Sequence, residues 1–352
     1  MADLFGSLFK KSSNPNTQTK FDWQAGEGAP DDYPMQIVAG DLSFPDGGSL
    51  YVPDGATLHH GWGRGWSSHI VGPELKSLPN RLSLTFFSYT ENQFYKGTFD
   101  LPYEKILALF QAGHYSPKDK KHITYDEITT GVAPGGAVSV WLTSLDRTVE
   151  VFFGQAEKSD TDWSAINNNP DYPREGYVRS EIEESLSPEA LESLQENGIP
   201  FGRWADYRPR YTWQLSVTGF QIRNDRVSTV LYFNGERDYL DLQPEVSSDK
   251  PAEQSAAAET RAVPRKMVFV WARPAGVQDL LFKVDFHPGE IFAAFKQLGS
   301  EQQPLQLELR IETREDKKSH FVVWLYSEKE SLELKRTEFE TWGARKQKKE
   351  VD

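Results

Sequence analysis

The chain predicts an α+β protein made of two tandem, duplicated units, each an antiparallel β-sheet with one main helix packed on it. Three observations predict it. At 352 residues the chain is about twice the usual single-domain length of roughly 150. Apolar, β-prone runs recur in the same order in both halves. Each half also holds one short amphipathic stretch with helix start and stop signals at the same place in that order.

In the first half, Met35-Gln36-Ile37-Val38-Ala39 supplies a leading strand, followed by Arg81-Leu82-Ser83-Leu84-Thr85-Phe86-Phe87 and Phe94-Tyr95-Lys96-Gly97-Thr98-Phe99. Pro102 then opens a helix through Glu104 and Phe110 that closes at Gly113: proline needs no N–H in a first turn, glutamate suits the positive end of the dipole, and glycine ends the helix. Ile106, Leu107 and Phe110 form its apolar face. Val140-Trp141-Leu142-Thr143-Ser144 and the alternating Thr148-Val149-Glu150-Val151-Phe152 complete the unit. The second half repeats the pattern. Tyr211–Val217 and Val227–Phe233 lead, then Lys266–Trp271 and Leu280–Phe286. A helix follows from Pro288 and Glu290 to Gly299 with Ile291, Phe292 and Phe295 on one face, and Val323–Ser327 and Ser331–Lys335 end the copy. The expected boundaries are a flexible arm over 1–32, a first unit over 33–158, an acidic connector with a short helix over 159–207, a second unit over 208–342 with a flexible loop at 243–264, and a basic tail over 343–352.

Charge and composition limit the function. Lys and Arg number 39 against 52 Asp and Glu, a net charge of −13, which argues against nucleic acid or an anionic membrane and favours a basic protein partner. No apolar stretch approaches the twenty residues of a membrane span. The absence of cysteine excludes a disulfide framework, a thiol nucleophile, Cys-ligated zinc, iron–sulfur clusters and a lipidated cysteine. Asp3 and Lys10-Lys11 interrupt the first residues before a signal-type apolar run forms, so the expected location is cytoplasmic. Between residues 160 and 200, ten acids face two arginines, a net charge of −8 that makes the connector either a solvated link or a docking surface for a basic partner. In it, Ser187-Pro188-Glu189 starts a short helix with a serine cap.

Candidate chemistry is sparse. His59-His60 with His69 lacks the i, i+4 spacing of helical zinc sites, and no metal or cofactor is expected. Gly61-Trp62-Gly63-Arg64-Gly65-Trp66 matches no phosphate loop and bears bulky indoles where such loops need bare backbone. There is no G-x-S-x-G elbow. Carboxylates are numerous, but nothing singles out a glycosidase-type pair. Trp141, Trp213, Trp271 and Trp324 lie in strand patterns and read as core. Trp62 and Trp66 flank Arg64 in a polar loop that is either a lid over the sheet or an aromatic–arginine anchor. The expected partner-binding residues are therefore Trp62, Arg64 and Trp66, with Glu181, Glu183 and Glu184 of the connector.

Gly61-Trp62-Gly63, Leu78-Pro79, Leu82–Glu91, Phe94-Tyr95 and Leu101-Pro102, with Trp213 and Tyr232-Phe233-Asn234-Gly235-Glu236, resemble the bacterial domain of unknown function 2931 family over about residues 33–240. Members are often lipoproteins, and some lie beside type VI secretion or polymorphic-toxin genes. The resemblance therefore implies an immunity protein that binds and neutralises a cognate toxin. With no cysteine and no signal, this chain departs from the lipoprotein pattern, which favours a toxin acting in the cytosol. The resemblance carries over no catalytic residue. The leading expectation is a non-enzymatic cytoplasmic immunity protein; an effector adaptor or chaperone, or a carbohydrate-active enzyme, are the alternatives. With this charge, binding to duplex DNA near physiological salt is expected to be weaker than about micromolar; a mobility-shift titration that finds tighter binding contradicts the electrostatic argument.

Overall fold

The computed structural model describes residues 17–67, 69–167, 169, 171–223, 228–244, 253–273, 277–299, 303–313 and 319–343. Strands dominate and, among the described residues, five α-helices accompany them, an α+β architecture. The first amphipathic stretch forms helix α1 (Tyr103–Ala112), burying Ile106 and Phe110. The connector forms α2 (Arg174–Ser185), α3 (Pro188–Asn197) and the single turn α4 (Arg203–Asp206). The second amphipathic stretch forms α5 (Pro288–Leu298), burying Ile291, Ala294, Phe295 and Leu298. Ser187 caps α3 as its sequence predicts, its Oγ accepting the Ala190 N–H at 3.2 Å.

The expectation of one antiparallel sheet per half is corrected: among the described residues each half has two main sheets, the first half adding two two-stranded ones, and each half contributes one parallel pair. Gln24–Gly28 runs parallel to Glu127–Ala133, and Arg210–Thr218 runs parallel to Leu305–Thr313. In the second half the strand after the main helix makes the parallel pair, whereas in the first half a short hairpin, His114–Ser116 with Lys121–Ile123, comes between α1 and the returning strand; in both the helix lies within the crossover, since a tight hairpin cannot join a parallel pair. Two antiparallel strands extend each pair, Ala137–Thr143 and Thr148–Gln155 in one half and Ser319–Tyr326 and Ser331–Glu333 in the other. The companion sheet of the first half is ordered Ser49–Tyr51, Met35–Ser43, Arg81–Ser88, Gln93–Asp100, Glu157–Ser159. That of the second is ordered Arg237–Leu240, Ser228–Tyr232, Pro264–Ala272, Leu280–Asp285, Glu338–Gly343. The last of these, Glu338–Gly343, is a strand that the apolar pattern does not reveal.

The stretch 17–32, expected within a flexible arm, instead holds strands Lys20–Phe21 and Gln24–Gly28, with Trp23 fully buried. An aromatic ring and alternate apolar positions outweigh the loop-like composition around them. Likewise the stretch expected as a flexible loop at 243–264 contains strands Gln243–Pro244, Glu253–Ser255 and Glu259–Ala262, while residues 245–252 lie outside the described residues. Of the basic tail, residues 344–352 also lie outside them.

The two halves meet edge to edge. The parallel-pair sheet of the first half and the companion sheet of the second join into one ten-stranded central sheet through a single backbone pair, Thr148 with Arg237. Side chains supply the rest of the seam. Trp141 donates its Nε1–H to the Asn234 carbonyl at 3.0 Å and packs edge-on against Trp62, ring centroids 4.8 Å apart. Glu150, buried, accepts from Ser139 Oγ at 2.8 Å and Arg208 Nη1 at 2.5 Å. Its N–H donates to Glu236, whose other oxygen accepts from Arg210 Nη1 at 2.8 Å. Gly63, with φ +80°, lies so close to Gly235 that a Cβ at position 63 would sit 2.1 Å from the Gly235 oxygen.

Gly63→Ala therefore combines a left-handed backbone with a backbone clash across the seam. It is expected to cost about 2 to 4 kcal/mol, against about 1 to 2 kcal/mol for Gly47→Ala, where φ is +89° but nothing lies within 4 Å. Urea denaturation of the two variants checks this; equal costs would remove the contact from the account.

Candidate functional site

The Gly/Trp-rich loop is shaped by the sheet edge it covers. Its stem, Thr57–Leu58, pairs with Met35 and Gln36 at the margin of the companion sheet. The loop then crosses to the free edge of the central sheet, strand Gln24–Gly28. Gly61 donates its N–H to the Ala29 carbonyl at 3.0 Å, and Trp66 donates to Glu27 at 2.8 Å. An exposed strand edge invites pairing with another chain, and here the chain's own loop takes up those acceptors. Backbone contact at this range tolerates little side chain: a Cβ at Gly28 would meet the Arg64 oxygen at 2.3 Å.

Holding the loop at both ends sends its two indoles in opposite directions. Trp62 turns inward to a small seam core with Ala133, Ala137, Trp141 and Trp204, leaving 9% of its surface exposed. Its expected role as an anchor is corrected: Trp62 is the lid, because the seam offers it two indole partners. Trp66 turns outward, 53% exposed, and stacks on His60 with centroids 3.4 Å apart at 11°. Arg64, between them, is exposed. Burial, then the nearby His59 and Arg64 charges, push the His60 imidazole below its ordinary pKa, so at neutral pH the indole stacks on a neutral ring. Tyr51, Ile70 and Leu75 add further exposed apolar surface within residues 51–75.

The structure brings the acidic connector to this loop. Helix α2 is held on the companion sheet by Val178, buried against Phe87, Tyr89 and Phe94. Arg174 adds to this with its guanidinium 5.3 to 5.6 Å from the rings of Phe87, Phe94 and Trp163. In that position Glu181 accepts a hydrogen bond from Thr57 Oγ1 at 2.6 Å, in the stem of the loop. Glu183 and Glu184 are exposed on the same helix, Glu184 accepting from Ser180 Oγ at 2.9 Å. Of the three expected acids, Glu181 thus touches the stem of the loop, 124 positions away in sequence.

The histidines do not converge: His69 shares a 2.7 Å hydrogen bond with Tyr51, while His60 stacks on Trp66. Among the described residues no group of three or more His, Asp or Glu is placed to hold a metal. Sequence reasoning missed a carboxylate pair beneath the loop, because Glu27 falls in the stretch expected as an arm. Glu27 is 1% exposed; Ser67 donates to its Oε1 at 2.6 Å, and its Oε2 has no partner among the described residues. Burial pushes the Glu27 carboxyl up to about 7, with the Glu127 charge adding to the rise and the Ser67 hydrogen bond opposing it. Burial raises Glu127 as well, against a 2.5 Å hydrogen bond from Thr129 Oγ1.

A model of the family described as protein of unknown function (DUF2931) matches residues 10–202, more than half of the chain. The chain belongs to this family. The matched DUF2931 region contains the whole loop, α2 and both Glu27 and Glu127, and it ends before strand Arg210–Thr218. Trp213 and Tyr232–Glu236, which also carried the resemblance, lie beyond it. No curated protein and no solved structure matches this DUF2931 chain. No helix among the described residues is long and apolar enough to cross a membrane.

Glu27 gives the loop a pH dependence of definite sign. Because its folded pKa, about 7, is raised above the ordinary 4.5, its contribution is fully present below pH 4.5 and is lost as pH rises toward 7, at about 1.4 kcal/mol per unit. Glu27→Gln, which cannot ionise, is expected to be near neutral in stability at pH 5 and more stable than wild type by about 2 to 3 kcal/mol at pH 8. Denaturant titrations at the two pH values measure this; a difference independent of pH would mean that Glu27 ionises normally.

Proposed function

We propose that this DUF2931 chain is a non-enzymatic cytoplasmic binding protein that captures a basic protein on the face formed by the 58–75 loop and helix α2, and that the partner is a secreted toxin it neutralises. The observation that carries the reading is Trp66, held half exposed on His60 by backbone bonds to the central sheet, beside a loop stem bonded to Glu181. An exposed, pre-positioned indole with an arginine nearby is the composition of a binding anchor, and the acids of α2 supply the field that draws a cationic partner in. The type VI and polymorphic-toxin setting of some family members supports a toxin as that partner. An adaptor that escorts an effector would use the same face without inhibiting it.

We read the two halves as copies of one unit. A shared core strand order, the parallel pair in the same place, and a main helix within the crossover of each pair support duplication, although the second half adds strands beside Arg210–Thr218 and the first adds a hairpin after α1. A family model that covers one half and its connector is in keeping with it.

The test takes the proteins encoded by the genes that flank this one as candidate partners, with kinetics followed on the immobilised complex. Glu181→Lys, Glu183→Lys and Glu184→Lys together are expected to slow association about tenfold and flatten its salt dependence. Trp66→Ala is expected to speed dissociation on the order of 10- to 1,000-fold at little cost in stability, whereas Trp62→Ala lowers stability by about 3 to 5 kcal/mol as a core truncation. Toxin inhibition falls in step with the Trp66 effect if the chain is an immunity protein and is absent throughout if it is an adaptor. Rates unchanged by both the triple reversal and Trp66→Ala would place the contact elsewhere.

A further inference from the structure

A second feature lies away from the loop, on the seam itself. A cleft of about 210 Å³ opens between the halves, lined by Arg147 from the first and Arg210, Arg237 and Arg261 from the second, with Tyr125 and Tyr232. Three of the guanidiniums have carboxylate partners. Arg147 Nη2 meets Asp238 at 3.0 Å, Arg210 Nη1 meets Glu236 at 2.8 Å, and Arg261 Nη2 meets Glu259 at 3.1 Å. Arg237 instead donates Nη2 to the carbonyls of Ser144 at 2.8 Å and Leu145 at 3.0 Å and, among the described residues, has no carboxylate within ion-pair distance. The cleft thus holds one positive charge in excess of its carboxylates.

Its hydrogen-bonding capacity is one-sided as well. Arg147 Nε, Arg237 Nε, Arg261 Nε and the Tyr232 hydroxyl are all buried with no partner among the described residues, and all four belong to residues lining this cleft. Tyr232 is 3% exposed and Arg261 is 7% exposed. A guanidinium N–H can only donate, and a buried donor left unpaired is costly, so several orphans around one cavity point to a missing acceptor. An anion with several oxygens meets the need for both charge and acceptors.

We propose that this cleft binds a small oxyanion, a carboxylate or phosphate group, that bridges the two halves across the seam. Arg237 supplies the charge that no carboxylate of the cleft pairs, Tyr232 donates its hydroxyl, and Arg147 and Arg261 contribute from the first and the second half. Among the described residues the strand pairing here is the Thr148–Arg237 pair alone, so an anion held by both halves also tightens their junction.

Titration calorimetry on the whole chain at constant ionic strength, with inorganic phosphate in one arm and succinate in the other, tests the site. One saturable site is expected for at least one anion, and the tighter arm identifies whether phosphate or carboxylate is the natural group. Arg237→Gln is expected to weaken it at least about tenfold and Tyr232→Phe about three- to tenfold, while Arg64→Gln on the outer loop leaves it unchanged. Tyr232→Phe preserves shape and carries the test should Arg237→Gln fold poorly. No saturable binding of either anion up to about 10 mM, or binding undiminished in Tyr232→Phe and in any folded Arg237→Gln, overturns the proposal and leaves the orphan donors to water.

Discussion

The ten-stranded central sheet has to continue across a seam where one backbone pair joins the halves. A single pair cannot hold two sheets in register, so the junction depends on side chains: the Trp141 bond to Asn234, the buried carboxylates of Glu150 and Glu236 with their half-exposed partners Arg208 and Arg210, and the touching backbones of Gly63 and Gly235. Buried ion pairs are weak sources of net stability, since desolvation offsets much of their attraction, yet losing one partner strands a buried charge. That asymmetry lets them fix how the halves meet even where they add little to the free energy of folding. Burial raises the pKa of Glu150 despite Arg208 and the Ser139 hydrogen bond, which marks how far this junction is removed from water.

The loop inherits its shape from the same junction. Gly63 must reach Gly235 and Trp62 must fill the space beside Trp141, so the chain between them and the sheet edge has no freedom left. Trp66, four residues beyond Trp62, is held outward because its own N–H is tied to Glu27. An exposed indole normally loses rotamer freedom on binding; one already stacked on His60 and fixed by its backbone loses less. A pre-positioned surface indole and a close inter-half contact are thus two results of one constraint. Glu27, buried directly under the loop, adds a titrating group to that arrangement.

Legibility in the sequence followed the range of the interactions. Helices α1 and α5 were readable because their apolar faces, prolines and closing glycines are local, and the cap of α3 at Ser187 for the same reason. Helix α2 was not, since it buries only Val178 and has no apolar stripe; it is held by Arg174 over an aromatic cluster from distant strands. The strands in 17–32 were hidden by loop-like composition around Trp23. Composition and charge alone mark the six expected partner-binding residues, and composition cannot tell an indole that faces a seam from one that faces solvent.

By itself the sequence determined the strand-rich α+β class, the acidic charge and the presence of an aromatic loop, because each is a property of neighbouring residues. Tertiary structure alone decided that each half splits into two sheets with a parallel pair, that Trp62 is core while Trp66 is surface, and that Glu181 lies against Thr57. It alone brought Arg147 to face Arg237, Arg261 and Tyr232 across the seam. The physical reason is sequence separation. Pairing register and burial are set by contacts between residues tens to a hundred positions apart, and local pattern carries no record of which distant surface a side chain will meet.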